Sequence, residues 1–268
     1  LQFSLPLFCS NMLQQVYNLT DTALAGHLLG SAALAEIGAT AALYGLIMNF
    51  AFGMNNGLAL TVSRCFGAGE REGIRRAVGW MVTLSAAVSI VLTTVSLLGR
   101  GALLQVLQVP AEVWDGAAAY LTVILLGIPL TMLYNMEAAL LRAVGNSVTP
   151  LLFLLFSSVL NVGLDAAFMG PLGMGVRGAA VATVLAQGIS AVLGAVYLVR
   201  SYPELHFTLA HFKKSARRAV MNMFWAGMSM GLMSAIYNLG SVALQSSINA
   251  LGSVYITAQT AARRMAEM

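Results

Sequence analysis

The sequence predicts an all-α polytopic membrane protein, and three observations predict it. Hydrophobic residues make up 59% of the 268 residues and charged ones only 9%, with a mean hydropathy of +0.81. Soluble domains carry roughly a quarter of their residues as charges. Apolar stretches long enough to cross ~30 Å of hydrocarbon recur along the chain. These stretches lack the period-two alternation of a membrane barrel, so helices remain as the way to satisfy the backbone in lipid.

The spans follow in order. The first covers 5–29 and ends at Gly30. The second covers 34–62 and runs into Gly67-Ala68-Gly69, a helix stop, since it follows a helix and not the strand a dinucleotide fingerprint requires. The third, 77–99, lies between Arg76 and Arg100, and the fourth, 117–141, between Asp115 and Arg142. The fifth covers 149–170, up to Pro171; the sixth, 178–199, lies between Arg177 and Arg200. A seventh covers 221–249, and an eighth opens near 254. The chain starts at Leu1 and stops at Met268 in mid-pattern, which reads as part of a longer protein.

The loops orient these spans. Arg64, Arg71, Arg75 and Arg76 follow the second span, Arg142 the fourth, and Arg200, Lys213, Lys214, Arg217 and Arg218 the sixth. The opposite side carries Arg100 and Arg177 against Glu112 and Asp115. The basic side is cytoplasmic by the positive-inside rule, so the N-terminus is expected in the cytoplasm. The net charge of +4 therefore speaks for topology and not for nucleic acid. Cys9 and Cys65 lie in or beside apolar segments without a pairing pattern and read as packing residues.

A short repeat suggests the architecture. Tyr17-Asn18-Leu19 recurs as Tyr237-Asn238-Leu239, an offset of 220, and Leu29-Gly30-Ser31 as Leu251-Gly252-Ser253, an offset of 222. Six spans per unit keep both copies in one orientation, a parallel repeat of the kind many transporters are built from. The expectation is about twelve helices in two parallel six-helix lobes: a first lobe over 1–200, an inter-lobe cytoplasmic loop over 201–220, and the start of a second lobe over 221–268.

Two acids break the apolar pattern. Asp21 and Asp165 lie inside spans, where an ionised carboxylate costs roughly 3 kcal/mol or more. Asn161 is one helical turn before Asp165, and Thr183 lies in the next span. Counted from the loops at 1.5 Å per residue, these residues and Tyr120 all fall roughly 7–14 Å below the outer surface. Oxygen-only ligands suit a small hard cation and not a transition metal. Two carboxylates at close range repel, and such a pair can share a proton or hold Na⁺. The competing reading is a polar knot that glues helices. Glu137, near the inner end of the fourth span, is expected to pair with Arg142 or snorkel. Met48, Met54, Met132, Met136, Met228, Met230 and Met233 are candidates for an adaptable cavity lining, with core filling the alternative. A nucleophile–base pair or acidic metal cluster that would mark an enzyme does not stand out.

The residues resemble the multidrug and toxic compound extrusion (MATE) transporters. Leu5-Pro6, Gln14-Gln15, Tyr17-Asn18 and Asp21-Thr22 look like that family's first span, and Gly67-Ala68-Gly69 like its second-span ending. The run from Arg142 to Asn146, closed by Thr149-Pro150, resembles its loop between spans 4 and 5. Asn161 with Leu164-Asp165, then Gly178-Ala179-Ala180 and Ala182-Thr183 with Gln187, resembles spans 5 and 6. The resemblance implies a twelve-helix antiporter that exports cationic or amphipathic compounds in exchange for Na⁺ or H⁺, with no other cofactor. It implies that Asp21, Asn161, Asp165 and Thr183 form the cation site, with Gln14, Tyr17 and Tyr120 in its network. A multi-pass, monomeric protein of the bacterial inner membrane is expected, in contact with lipid and small organic substrates. Some family members carry a span-7 glutamate, but no acid lies between Glu204 and Glu267 here, and Ser241 falls where the repeat would put a second Asp21. The alternative is a lipid-linked precursor flippase of the same superfamily, whose anionic substrate calls for cationic side chains deep in the spans.

Overall fold

A computed structural model describes residues 4–107, 109–208 and 217–249. These residues form eight α-helices and two single-turn 3-10 segments. The helices are α1 (Ser4–Leu29), α2 (Ser31–Gly67), α3 (Arg71–Leu98), α4 (Arg100–Val106), α5 (Trp114–Ala143), α6 (Val148–Met169), α7 (Val176–Ser201) and α8 (Arg217–Asn249). The 3-10 turns are Ala111–Val113 and Pro203–Leu205. Each span from the first to the seventh is met by one helix, a few residues longer at most ends. Helix α4 was not expected; its seven residues fold in the loop between α3 and α5. The eighth span, Leu251-Gly252-Ser253, Lys213 and Lys214 lie outside the described residues.

Connections are tight, and glycine makes two of them. One residue, Gly30, joins α1 to α2 with φ +85°, a left-handed value that a side chain strains against. Gly69 at φ +69° turns the chain out of α2, while the Glu70 N–H bonds the Cys65 carbonyl at 3.0 Å. A polar clasp holds the α5–α6 turn. The Asn146 Oδ1 accepts from the Thr149 N–H at 3.0 Å, and its Nδ2 donates to the Tyr202 hydroxyl at 2.8 Å. The start of α6 is thereby tied to the end of α7.

Six helical segments among the described residues are long and apolar enough to cross a membrane: Ser31–Gly67, Arg71–Leu98, Ala111–Ala143, Val148–Met169, Val176–Ser201 and Arg217–Gly240. Helix α1 has the length, 26 residues, but not the apolarity, which departs from the expectation of seven such spans. The reason is chemical: Asn11, Gln14, Gln15, Asn18 and Asp21 punctuate it. Helix α2, at 37 residues, is ~55 Å long and overreaches ~30 Å of hydrocarbon.

Helix α5 lies at the centre, packed on α2, α3 and α7, with α6 behind α7 and α1 against α6. Helix α8 lies along α2. The main apolar core runs from Ile47, Met54 and Leu58 of α2 to Leu121, Leu125 and Met132 of α5. A second cluster gathers at the bundle end where α1 meets α2 and α7 begins, with Ala25, Ala33, Tyr120, Ile124, Val176 and Ala180. Outward faces are apolar as well, including Ile90 and Val95 of α3, Leu155 and Val159 of α6, and Val192 and Val199 of α7. That is the surface a lipid solvent selects. Met54, Met132 and Met136 are buried in the core, whereas Met233 is exposed.

Candidate cation site

Helix α6 supplies Asn161 and Asp165, which are 1% and 0% exposed. Helix α7 presents Thr183 to them, and the Asn161 Nδ2 donates to the Thr183 Oγ1 at 3.4 Å. That hydroxyl spends its own proton on the Ala179 carbonyl, 3.0 Å away, one turn back in its helix. Helix α1 brings half-buried Asp21, whose carboxyl meets that of Asp165. Tyr17, one turn before Asp21, reaches Thr183. Tyr120 of α5 is buried and lies near both carboxyls. Gln14 stands apart: it is exposed, two turns from Asp21 along α1.

Three further polar residues adjoin the cluster. Tyr44 of α2 lies near Asp21 and Tyr120 and reaches Gln187 of α7. The Thr131 hydroxyl of α5 donates to the Gln187 Oε1 at 2.6 Å. Gln187 follows Thr183 by one turn, so helical register pointed to it. Nothing in the sequence near Tyr44 marked it, because its role comes from how α2 crosses α1 and α7.

The electrostatics of the cluster follow from an imbalance. Beyond the contact of the two carboxyls with each other and with the Asn161 amide, both oxygens of Asp165, the Asp21 Oδ1 and the Asn161 Oδ1 are buried with no further donor. With both acids ionised all four are acceptors and cannot satisfy one another, whereas a proton shared between the two carboxyls makes one of them a donor. A buried group left unpaired costs roughly 1–3 kcal/mol, and more when charged. The arrangement can therefore take up protons, or a hard cation ligated by oxygen. Among the described residues no three His, Cys, Asp or Glu side chains converge, so a transition-metal donor set is not formed there. The apolar cluster of Ala25, Ala33, Tyr120, Ile124, Val176 and Ala180 flanks the site and keeps its dielectric low.

The MatE family model matches residues 6–167, which is more than half of the chain. The chain belongs to the MatE family. The matched region holds α1 to α5 and most of α6, and so includes Asp21, Asn161 and Asp165, while Thr183 lies beyond it. This MatE chain is 28% identical over 263 residues to the probable multidrug resistance protein YpnP of Bacillus subtilis, covering 98% of the chain and 58% of that relative. It is 28% identical over 228 residues to the probable multidrug resistance protein NorM of Thermotoga maritima, covering 83% of the chain and 49% of the relative. Its fold superposes on the outward-facing conformation of a multidrug resistance MATE family transporter of the MOP superfamily with a TM-score of 0.83, at 26% identity, over 98% of this chain and 58% of the other. The MatE chain thus spans about half the length of these relatives, from 49% to 58%.

Proposed function

We propose that the full-length protein is a secondary antiporter. It exports cationic or amphipathic compounds by alternating access, in exchange for Na⁺ or H⁺ bound at Asp21, Asn161, Asp165 and Thr183. The observation that carries this reading is the pair of carboxyls that α1 and α6 bring together inside the bundle, beside the Asn161 amide and the Thr183 hydroxyl. Helix glue has no need of two acids at one point, whereas a site that loads a proton or a hard cation does.

Tyr17 and Tyr120 frame the site, and Gln14 belongs to the stretch of α1 beyond it. In the outward-open state a cation or proton enters between Asp21 and Asp165 and neutralises them. Helix α1 then shifts, and the substrate loses its counter-charge and leaves outward. The loaded protein turns inward, releases the cation and takes up new substrate. Coupling requires that cation and substrate prefer opposite states. The relatives' description as multidrug resistance proteins supports small-molecule export over a lipid-linked precursor flippase.

The test is dye export from membrane vesicles, with Na⁺ and pH gradients imposed separately. One gradient is expected to drive export, and Asp21→Asn is expected to abolish that drive while the protein still folds. Wild-type export by Asp21→Asn sinks the proposal.

A further inference from the structure

A second carboxyl is buried in the same lobe, far from the first. Glu137 lies on α5, 17 residues beyond Tyr120 and six before the helix end at Ala143, which puts it ~9 Å from that end. It is 4% exposed, and its Oε1 has no hydrogen-bond partner. The expected partner is elsewhere. The Arg142 Nη2 donates to the Asn56 Oδ1 at 3.1 Å, and its guanidinium lies over the Phe52 ring, 5.5 Å from the centroid. Arg142 is thus held on α2.

Facing Glu137 across the α5–α7 contact is Ser190, 1% exposed, whose Oγ is also unpartnered. Both line a cavity of about 10 Å³, walled by Tyr134, Pro150 and Phe153. That is room for a single water. At Gly194, one turn further along α7, the Glu137 Oε2 occupies the place of a missing side chain. On its own helix the titratable neighbours are Tyr134 and Arg142; no charged side chain of α2, α3, α6 or α7 is set against it among the described residues.

An unpaired carboxylate at this depth costs several kcal/mol. Two free oxygens are too few for a hard metal cation, which collects about six. They suit a neutral carboxyl and one water. Residues 183, 187, 190 and 194 follow one another at spacings of four, three and four, which is a single face of α7. That face links Thr183 at the acid pair, through Gln187 and its Thr131 bond, to Ser190 and Glu137, ~10 Å further in.

We propose that Glu137, with a water shared by Ser190, is a second proton-binding site, and that it passes protons between the Asp21/Asp165 pair and the cytoplasmic side of the lobe. The relay half of this inference rests on the coupling role proposed above for that pair; the proton site itself does not.

The experiment uses the purified full-length protein. Infrared difference spectra across a pH titration are recorded for wild type, Glu137→Gln and Asp21→Asn. A protonated-carboxyl carbonyl band is expected in wild type and Asp21→Asn and is expected to vanish in Glu137→Gln, an isosteric change that keeps the fold. If Glu137→Gln removes no such band, the proton site is overturned. In vesicles driven by a pH gradient, Glu137→Gln is expected to slow dye export at least tenfold with dye affinity unchanged, and Glu137→Asp to restore part of the rate. Wild-type export by Glu137→Gln overturns the relay. A normal rate in Asp21→Asn, with the Glu137 band intact, removes the coupling role of the acid pair and the relay with it, but leaves the proton site standing.

Discussion

Asp165 is wholly buried on α6, its carboxyl set against that of Asp21 and the amide of Asn161 one turn before it. Removing that amide leaves both carboxyls in place but deletes one neutral ligand, worth roughly 1.4 kcal/mol or a factor of ten. Asn161→Ala is therefore expected to raise the coupling-cation concentration for half-maximal export about tenfold, with the maximal rate kept. Concentration dependence of dye export checks this; an unchanged half-point removes Asn161 from the ligand set. Asp165→Asn should behave differently and lose gradient-driven export altogether, since a carboxamide cannot exchange a proton or balance a cation. At this scale the sequence spoke clearly where a charge sat in an apolar run. It misled at Glu137, because proximity in sequence to Arg142 suggested a pair that α2 competes away with Asn56 and Phe52.

Helix α8 approaches α2 closely because glycines face each other. Gly53 and Gly57 of α2 and Gly227 and Gly231 of α8 are each four apart, the small-xxx-small spacing of close-packed membrane helices. A Cβ at position 57 would fall 2.5 Å from the Ala226 carbonyl oxygen and 2.8 Å from the Gly227 Cα, both rigid backbone. Gly57→Val is expected to destabilise the protein by about 1–3 kcal/mol through overpacking. Gly38, in the same helix, has nothing within 4 Å of such a Cβ, so Gly38→Ala is expected to be neutral or to stabilise by about 0.5–1 kcal/mol. Thermal unfolding in detergent measures both, and equal effects would argue against a tight α2–α8 crossing. The helices themselves were legible from hydropathy and loop charge. Their pairing was not, since every face of α8 is apolar enough to face lipid or a neighbour.

For the molecule as a whole, the positive-inside pattern makes an expectation that single cysteines can check. With Cys9 and Cys65 replaced by serine, Glu72→Cys should be shielded from a membrane-impermeant maleimide in intact cells, and Glu112→Cys should react. Both positions are exposed at helix starts on opposite ends of α3. The reverse labelling pattern overturns the orientation and, with it, the assignment of the acid pair to the outer half. The second motif of the repeat, Leu251-Gly252-Ser253, and the side chain of Ser241 lie outside the described residues.

The sequence by itself determined the class of solvent, the approximate limits of the seven long helices but not the short α4, and the acids that needed an explanation. Those follow from local sums: hydropathy over a window, charge at a loop, a carboxylate in hydrocarbon. Only the tertiary structure decided that the two carboxyls meet, that Tyr44 adjoins them, and that Glu137 faces Ser190 and not Arg142. Those depend on which helix faces cross, and in lipid any apolar face can pack against any other. The pairing is set by small residues and shape, which no single segment reveals.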